Sequence, residues 1–368
     1  MIGCPYEDLG SEHPEMCRLD ARVIDRLIPG TAIRERWRLD GDAGCVYRVA
    51  PCACESDPGA TEIILEDRDD VGGDSDGQQA LVQIAHESGT KRTLFQIPEN
   101  GWLASFDLLF NESTGGQFVL AYAPPPPEGE INFGFTSLYL MAVDGSEPEL
   151  LLAPDVEQEL FFNPTWSPDG QTIYFSHVRP IDPEAYTFAT TLERLHLDTG
   201  QIDLIAESSI WPQMSPDGKL LAYVFVEATA LRNKLMVAQP DGSNARELTS
   251  GEQFTAVDAP VFTPDSQFVY FSAVEATASR SWWDLLTGVQ VAYAHNLPSD
   301  WYRLPVNGGE AERLTELNLV GLYGRFAPSN IPTFAFASQE GLYEMAVTGQ
   351  DVTKLQEGTF TDSLAWTP

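Results

Sequence analysis

Two stretches of this chain gather side chains able to do chemistry. The first holds Asp67, Asp69, Asp70, Asp74 and Asp76 within ten positions, beside Gly72, Gly73 and Gly77. Hard carboxylate oxygens on a glycine-rich loop suit Ca²⁺. Their order does not match an EF-hand loop, whose glycine and terminal glutamate fall elsewhere, so a solvated acidic loop is the competing reading. The second stretch, 275–300, carries Trp282 and Trp283 with Tyr293 and His295. Adjacent tryptophans in a loop form either a small local core or a stacking platform for a sugar or a peptide. The five histidines, His13, His86, His177, His196 and His295, stand at no metal-ligand spacing. These patterns require no cofactor, and calcium is the one ion they could recruit.

The cysteines are the third chemical feature. All five, Cys4, Cys17, Cys45, Cys52 and Cys54, lie near the amino end. Ile2-Gly3-Cys4 resembles the end of a bacterial lipoprotein signal, in which the cysteine becomes the lipidated first residue. Met1 to Cys4 by itself is too short for a signal peptide. With Cys4 lipidated, the other four suffice for two disulfides, Cys52 and Cys54 pairing with Cys17 and Cys45 in either order. A zinc site is the weaker reading, because a Cys-x-Cys pair with two distant single cysteines is poor ligand spacing. Disulfides place the chain outside the cytoplasm. The expectation is an exported bacterial protein, periplasmic or at the cell surface, touching the membrane only through a lipid anchor.

Charge narrows the partners. Lys and Arg number 21 against 55 Asp and Glu, for a net charge of −34 over 368 residues. A surface this negative repels phosphate backbones and anionic lipid, so nucleic acid is excluded as a partner. Hydrophobic residues at 43% and aromatics at 11% still supply a large core. Only four of the cations are lysines, Lys91, Lys219, Lys234 and Lys354, a bias that salt adaptation or genomic base composition would each produce.

The elements that must hold these side chains are legible as a repeat. Trp166-Ser167-Pro168-Asp169-Gly170, Met214-Ser215-Pro216-Asp217-Gly218 and Phe262-Thr263-Pro264-Asp265-Ser266 recur at a spacing of 48 residues. A worn copy follows at Phe326-Ala327-Pro328-Ser329-Asn330. Pro presets φ, Asp bonds back to the local backbone and Gly accepts positive φ, so each is a tight turn between two apolar strands and its Asp is a turn residue. A second set of turns alternates with the first, at Ser88-Gly89, Asp144-Gly145, Thr199-Gly200, Asp241-Gly242, Gly308-Gly309 and Thr348-Gly349. Hairpins of the first kind fall at 105–122, 160–177, 209–226, 258–274 and 321–338, one fewer than the second kind. The missing one is split between Ser363–Pro368 and Ala60–Leu65, which pair in space and remove the free edges. The predicted fold is all-β: a six-bladed β-propeller of four-stranded antiparallel blades over 59–368, closed by strands from both ends. Residues 1–58 form a Cys-containing segment with one helix, for which Leu19, Val23, Ile24, Leu27 and Ile28 give the apolar spacing.

The Ser-Pro-Asp-Gly repeat resembles that of the TolB-like, WD-type propeller superfamily, clearly in three blades and degenerately in the rest. The resemblance covers about residues 60–368 and implies an envelope interaction module. It also brings in propellers that act as polysaccharide lyases with a His-bound metal, which would use His177 and His295 above the channel.

Connectivity assigns the faces. Inner strands run toward the Ser-Pro-Asp-Gly turns, so the long insertions 67–80, 123–136, 179–191 and 275–300 emerge together on the opposite side, the expected binding face. Counting back from the turns places Asp107, Asn163, Trp211, Ala259, Tyr323 and Ser363 around the channel mouth, with Asp258, Asp362 and Arg325 adjacent. This polar, mostly acidic ring is expected to bind a cation or a basic segment of a protein partner in the cell envelope. The alternative is a carbohydrate-active enzyme, lyase or hydrolase, or a glycan-binding protein using the same face and the Trp282/Trp283 loop.

Overall fold

The computed structural model describes residues 30–36, 46–51, 62–68, 79–86, 88–111, 115–127, 129–156, 158–182, 187–227, 232–249, 253–276, 297–328 and 332–367. The chain forms two compact units, Met1–Ala60 and Thr61–Pro368. In the first, β1 (Gly30–Arg36) pairs antiparallel with β2 (Val46–Pro51), a hairpin that the sequence reading did not anticipate. The helix expected over 19–28, the five cysteines, the acidic positions from Asp69 to Asp76 and the Trp282/Trp283 loop lie outside the described residues.

The second unit is a ring of six four-stranded antiparallel sheets. It opens with β3 (Glu62–Arg68), β4 (Gln79–Ala85) and β5 (Lys91–Gln96), three strands of blade 1. Blade 2 follows as β6 (Trp102–Asn111), β7 (Gly115–Ala123), β8 (Ser137–Ala142) and β9 (Glu149–Leu152). Blade 3 is β10 (Leu160–Trp166), β11 (Thr172–Asp182), β12 (Thr187–His196) and β13 (Ile202–Glu207). Blade 4 is β14 (Ser209–Met214), β15 (Leu221–Glu227), β16 (Arg232–Ala238) and β17 (Arg246–Glu247). Blade 5 is β18 (Phe254–Phe262), β19 (Phe268–Glu275), β20 (Asp300–Pro305) and β21 (Glu312–Arg313). Blade 6 is β22 (Tyr323–Phe326), β23 (Thr333–Ser338), β24 (Gly341–Ala346) and β25 (Thr353–Glu357). The last strand, β26 (Thr359–Trp366), returns to blade 1 and pairs with β3, Trp366 opposite Ile63. Closure by strands from both ends is the architecture that the split hairpin predicts, and it leaves no inner edge unpaired.

The repeated turns form for the reason their residues give. Asp169 Oδ1 accepts from Ser167 Oγ at 2.6 Å and from the Gln171 amide at 3.0 Å, while Gly170 takes φ +69°. Asp217 and Asp265 repeat the bond, to Ser215 and to Thr263. All six of the alternate turns carry a glycine at positive φ. In three of them the glycine also meets the previous blade: a Cβ on Gly145, Gly242 or Gly349 would collide with Leu94, Ile205 or Leu314. The second strands are buried on both faces, so β7, β11, β15 and β19 read as near-continuous apolar runs, and their side chains pack between neighbouring blades.

Candidate functional site

Every inner strand contributes to the central channel, which holds two cavities. The one at the long-loop end measures about 70 Å³ and is lined by Phe106, Asn163, Trp211, Ala259, Tyr323 and Ser363. The other opens toward the Ser-Pro-Asp-Gly turns, measures about 360 Å³ and is walled by Trp166, Met214, Phe262, Phe326 and Trp366. Gln213, Val261 and Arg325 line both and so mark the waist between them.

Local backbone shape sets the mouth. Asn163, Trp211 and Ala259 each precede a proline and sit at φ +46°, +55° and +46°, inside ladder irregularities of β10, β14 and β18. The left-handed turn of the backbone breaks the inner ladder at one level in three blades. Neighbouring blades then take up the freed amides: Asn163 N donates to Ser105 Oγ at 2.8 Å and Trp211 N to Ser176 Oγ at 3.1 Å. Asn163 Oδ1 is buried without a hydrogen-bond partner.

Asp107 lies deeper than its expected place in that ring. Phe106, not Asp107, shares the mouth cavity with Asn163, and Asp107 lines the second cavity. The physical cause is β6 itself: its ladder with β7 runs on to Asn111 opposite Gly115, so counting back from the turn stops one residue short of the mouth. Asp107 is buried and fully engaged. Its Oδ2 accepts from the Trp166 amide at 2.8 Å and from Thr165 Oγ1 at 3.0 Å, and its Oδ1 accepts from Arg325 Nη2. Asp258 is fully buried and lines neither cavity. Asp362 belongs to β26, and its side chain falls outside the described residues. The structure therefore brings Asn163, Trp211, Tyr323 and Arg325 together at the channel, with its acid already paired to its base.

A second cluster escaped the sequence reading. His177 Nδ1 lies 3.2 Å from both carboxylate oxygens of Glu193, and Nε2 lies 3.3 Å from Glu159. Arg179 Nη2 and Thr191 Oγ1 also donate to Glu193, at 2.8 and 2.7 Å. Burial works to raise the Glu193 pKa, but the hydrogen bonds from His177 and Thr191 and the His177 and Arg179 charges outweigh it and hold the carboxyl below its ordinary value. The signal was present in the alternation of His177 and Arg179 facing Thr191 and Glu193, which cross-strand pairing brings together on one side of the sheet. His295, its expected companion, lies outside the described residues. Among the described residues, no group of three or more His, Cys, Asp or Glu side chains is arranged to hold a metal, and no helix is long and apolar enough to cross a membrane.

The long-loop face carries one further feature. Residues 129–136, between β7 and β8, with Ser137 at the start of β8, face residues 153–156 and 158–159, between β9 and β10, across a groove of about 900 Å³. Ile131 and Phe133 are each 73% exposed there, and Val156 is 59% exposed.

No protein-family model matches the chain. Over 117 residues it is 29% identical to the Tol-Pal system protein TolB of Anaeromyxobacter dehalogenans, which covers 32% of this chain and 25% of that protein. Over 186 residues it is 25% identical to dipeptidyl-peptidase 5 of Porphyromonas gingivalis, covering 42% of this chain and 27% of that one. The chain thus spans about a quarter of the length of these curated relatives. Two solved structures superpose on most of it. The putative TolB from Agrobacterium tumefaciens does so with a TM-score of 0.54 at 17% identity, over 84% of this chain and 99% of that one. TolB from Acinetobacter baumannii gives 0.56 at 14% identity, over 86% and 69%. The chain is a six-bladed β-propeller similar in fold to TolB. The propeller architecture accounts for the short turns on one face and the irregular connections on the other. Fold does not fix activity, since puromycin hydrolase also shares it, with a TM-score of 0.50 at 14% identity.

Proposed function

We propose that this TolB-like propeller is an exported envelope protein that binds a protein partner through its long-loop face and performs no catalysis. In this reading Cys4 is the lipid attachment point, and Cys17, Cys45, Cys52 and Cys54 form two disulfides. One observation carries the protein-binding reading. The channel mouth offers only about 70 Å³, below the few hundred Å³ of an ordinary small-molecule site, whereas the same face presents exposed Ile131, Phe133 and Val156 around a groove of about 900 Å³. A site on the long-loop face built to surround a small substrate would place its volume in the channel mouth, whereas the channel's cavity of about 360 Å³ opens toward the turn face. A site built for a protein surface presents apolar side chains at its centre inside a polar rim. Pairing of Asp107 with Arg325 supports the same reading, because it leaves that carboxylate engaged rather than open to a soluble cation.

Site-directed photocrosslinking in the native cell envelope tests this. A crosslinking amino acid replaces Asn163 or Ile181 on the long-loop face, and Gln171 or Lys219 on the turn face. Protein adducts from the first pair and none from the second are expected. Adducts from the turn face alone, or from neither, overturn the proposal.

A further inference from the structure

We propose that the groove between residues 129–137 and 153–159 is a docking site for a peptide segment of the partner that carries large apolar anchors flanked by lysine or arginine. The inference rests on the protein-binding reading above and names the chemistry of what is bound.

The loop is built to hold its apolar side chains outward. From Ile131 to Thr136 the alternation is inverted: Ile131, Phe133 and Phe135 are exposed, while Asn132 and Gly134 are half-buried and Thr136 is buried. Chains normally turn the apolar side of such a pattern inward. Here the polar side is used to pin the backbone. Asn132 Nδ2 donates to the Asn100 carbonyl at 2.6 Å, and Asn132 Oδ1 accepts from the Gly134 amide at 2.8 Å. Thr136 Oγ1 donates to the Phe161 carbonyl, and the Phe161 amide returns a bond to the Thr136 carbonyl at 3.0 Å. Gly134 sits at φ +74°, which lets the chain turn between the two phenylalanines, whose ring centroids stand 6.0 Å apart. A loop pinned on its polar side loses little further entropy when a partner covers its apolar side.

Charge selects the occupant. The polar rim contributes the carboxylates of Glu130, Asp155 and Glu159, and no lysine or arginine lines the groove among the described residues. Glu159 is held in place by His177 Nε2 at 3.3 Å. An acidic rim around an apolar floor favours a segment whose apolar anchors are bracketed by cations. A second copy of this chain is disfavoured as the occupant, because each copy carries a net charge of −34.

The test uses the full chain and three fluorescein-labelled synthetic peptides of equal length. One alternates Phe and Leu with flanking Lys, one replaces Lys by Glu, and one replaces Phe and Leu by Ser. The first is expected to bind at least tenfold more tightly than either of the others, and to weaken as salt rises. Ile131→Ser with Phe133→Ser should abolish its binding, and Glu130→Lys with Asp155→Lys should weaken it at least tenfold while improving the Glu-flanked peptide. All four positions lie on the surface, and unchanged melting curves confirm that the variants fold. Equal binding of the Lys and Glu peptides, no binding of any peptide, or loss-free binding by the Ser variants overturns the inference, as does concentration-dependent dimerisation removed by the same Ser variants. Envelope adducts from Asn163 or Ile181 that persist in those Ser variants would keep the protein-binding reading and overturn the groove alone.

Discussion

Arg325 and Asp107, 218 residues apart in the chain, meet inside the channel, where the guanidinium on β22 of blade 6 donates to the carboxylate on β6 of blade 2. Blade 1 lies between them in the ring, so the pair reaches past the blade in which the two ends of the propeller are joined. Asp107 also accepts from the Trp166 amide of blade 3. One carboxylate thus ties blade 2 to the next blade on one side and, past blade 1, to blade 6 on the other.

Removing either partner should therefore destabilise the ring, and not equally. Asp107→Ala leaves a guanidinium, an amide and a hydroxyl short of their acceptor, whereas Arg325→Ala leaves one carboxylate oxygen short of a donor. Breaking a buried pair costs about 3 kcal/mol, and the Asp107 variant should lie above that figure and the Arg325 variant below it. A double-mutant cycle by urea unfolding should give a coupling energy above about 1 kcal/mol; additive losses would mean that the pair is not energetically linked.

The turn glycines separate two kinds of constraint. Gly200 has φ +70° and open space around its missing side chain, whereas Gly242 has φ +81° and would place a Cβ 2.6 Å from the Ile205 carbonyl oxygen of the previous blade. Gly200→Ala should cost only the left-handed penalty, about 1 kcal/mol. Gly242→Ala should cost about 1–3 kcal/mol more, because the backbone contact between blades has to open. Equal losses in denaturant unfolding would place the whole effect in φ and none in blade packing.

These glycines also mark how far the sequence could be read. The number of blades, the hairpin pattern and the closure of β26 on β3 follow from local turn chemistry, which short strings such as Ser167-Pro168-Asp169-Gly170 encode completely. That Gly242 presses on Ile205, or that Arg325 finds Asp107, depends on packing between blades, which no local pattern records. Asp107 shows why counting fails: β6 carries extra ladder pairs beyond the channel, so its register departs from that of β10. The outward Ile131, Phe133 and Phe135 were visible as an alternating string, but alternation alone does not say which side faces water.

Acid should loosen the repeated turns. Asp217 is held down to about 2 from an ordinary 3.8, first by the hydrogen bond from Lys219 and then by that from Ser215, and Asp169 is lowered by its bonds from Ser167 and the Gln171 amide. A carboxyl with a depressed folded-state pKa adds stability that is complete above its unfolded value and is lost as pH falls through the folded value. The loss from these turns should therefore fall between about pH 4 and pH 2. Asp217→Asn should reduce the slope of stability against pH in that window and leave it unchanged at pH 6–8. A slope unaltered by the substitution would show that other carboxyls dominate acid unfolding.

A tyrosine latch should also be measurable. Tyr174 on β11 donates its hydroxyl to the Pro240 carbonyl in the alternate turn of blade 4, at 3.0 Å, and Tyr270, at the same repeat position in blade 5, donates to the Val347 carbonyl of blade 6. The equivalent position in blade 4 is Ala222, which has no hydroxyl; the adjacent Tyr223, whose hydroxyl has no hydrogen-bond partner among the described residues and whose pKa is raised by burial, serves as the control. Arg194 Nη1 also reaches the Pro240 carbonyl, at 3.3 Å, so that acceptor is not orphaned when Tyr174 loses its hydroxyl. Tyr174→Phe should then cost only about 0.5–1 kcal/mol, Tyr270→Phe about 1 kcal/mol or more, and Tyr223→Phe close to nothing. Three equal values would mean that the hydroxyl bonds between blades add nothing to stability.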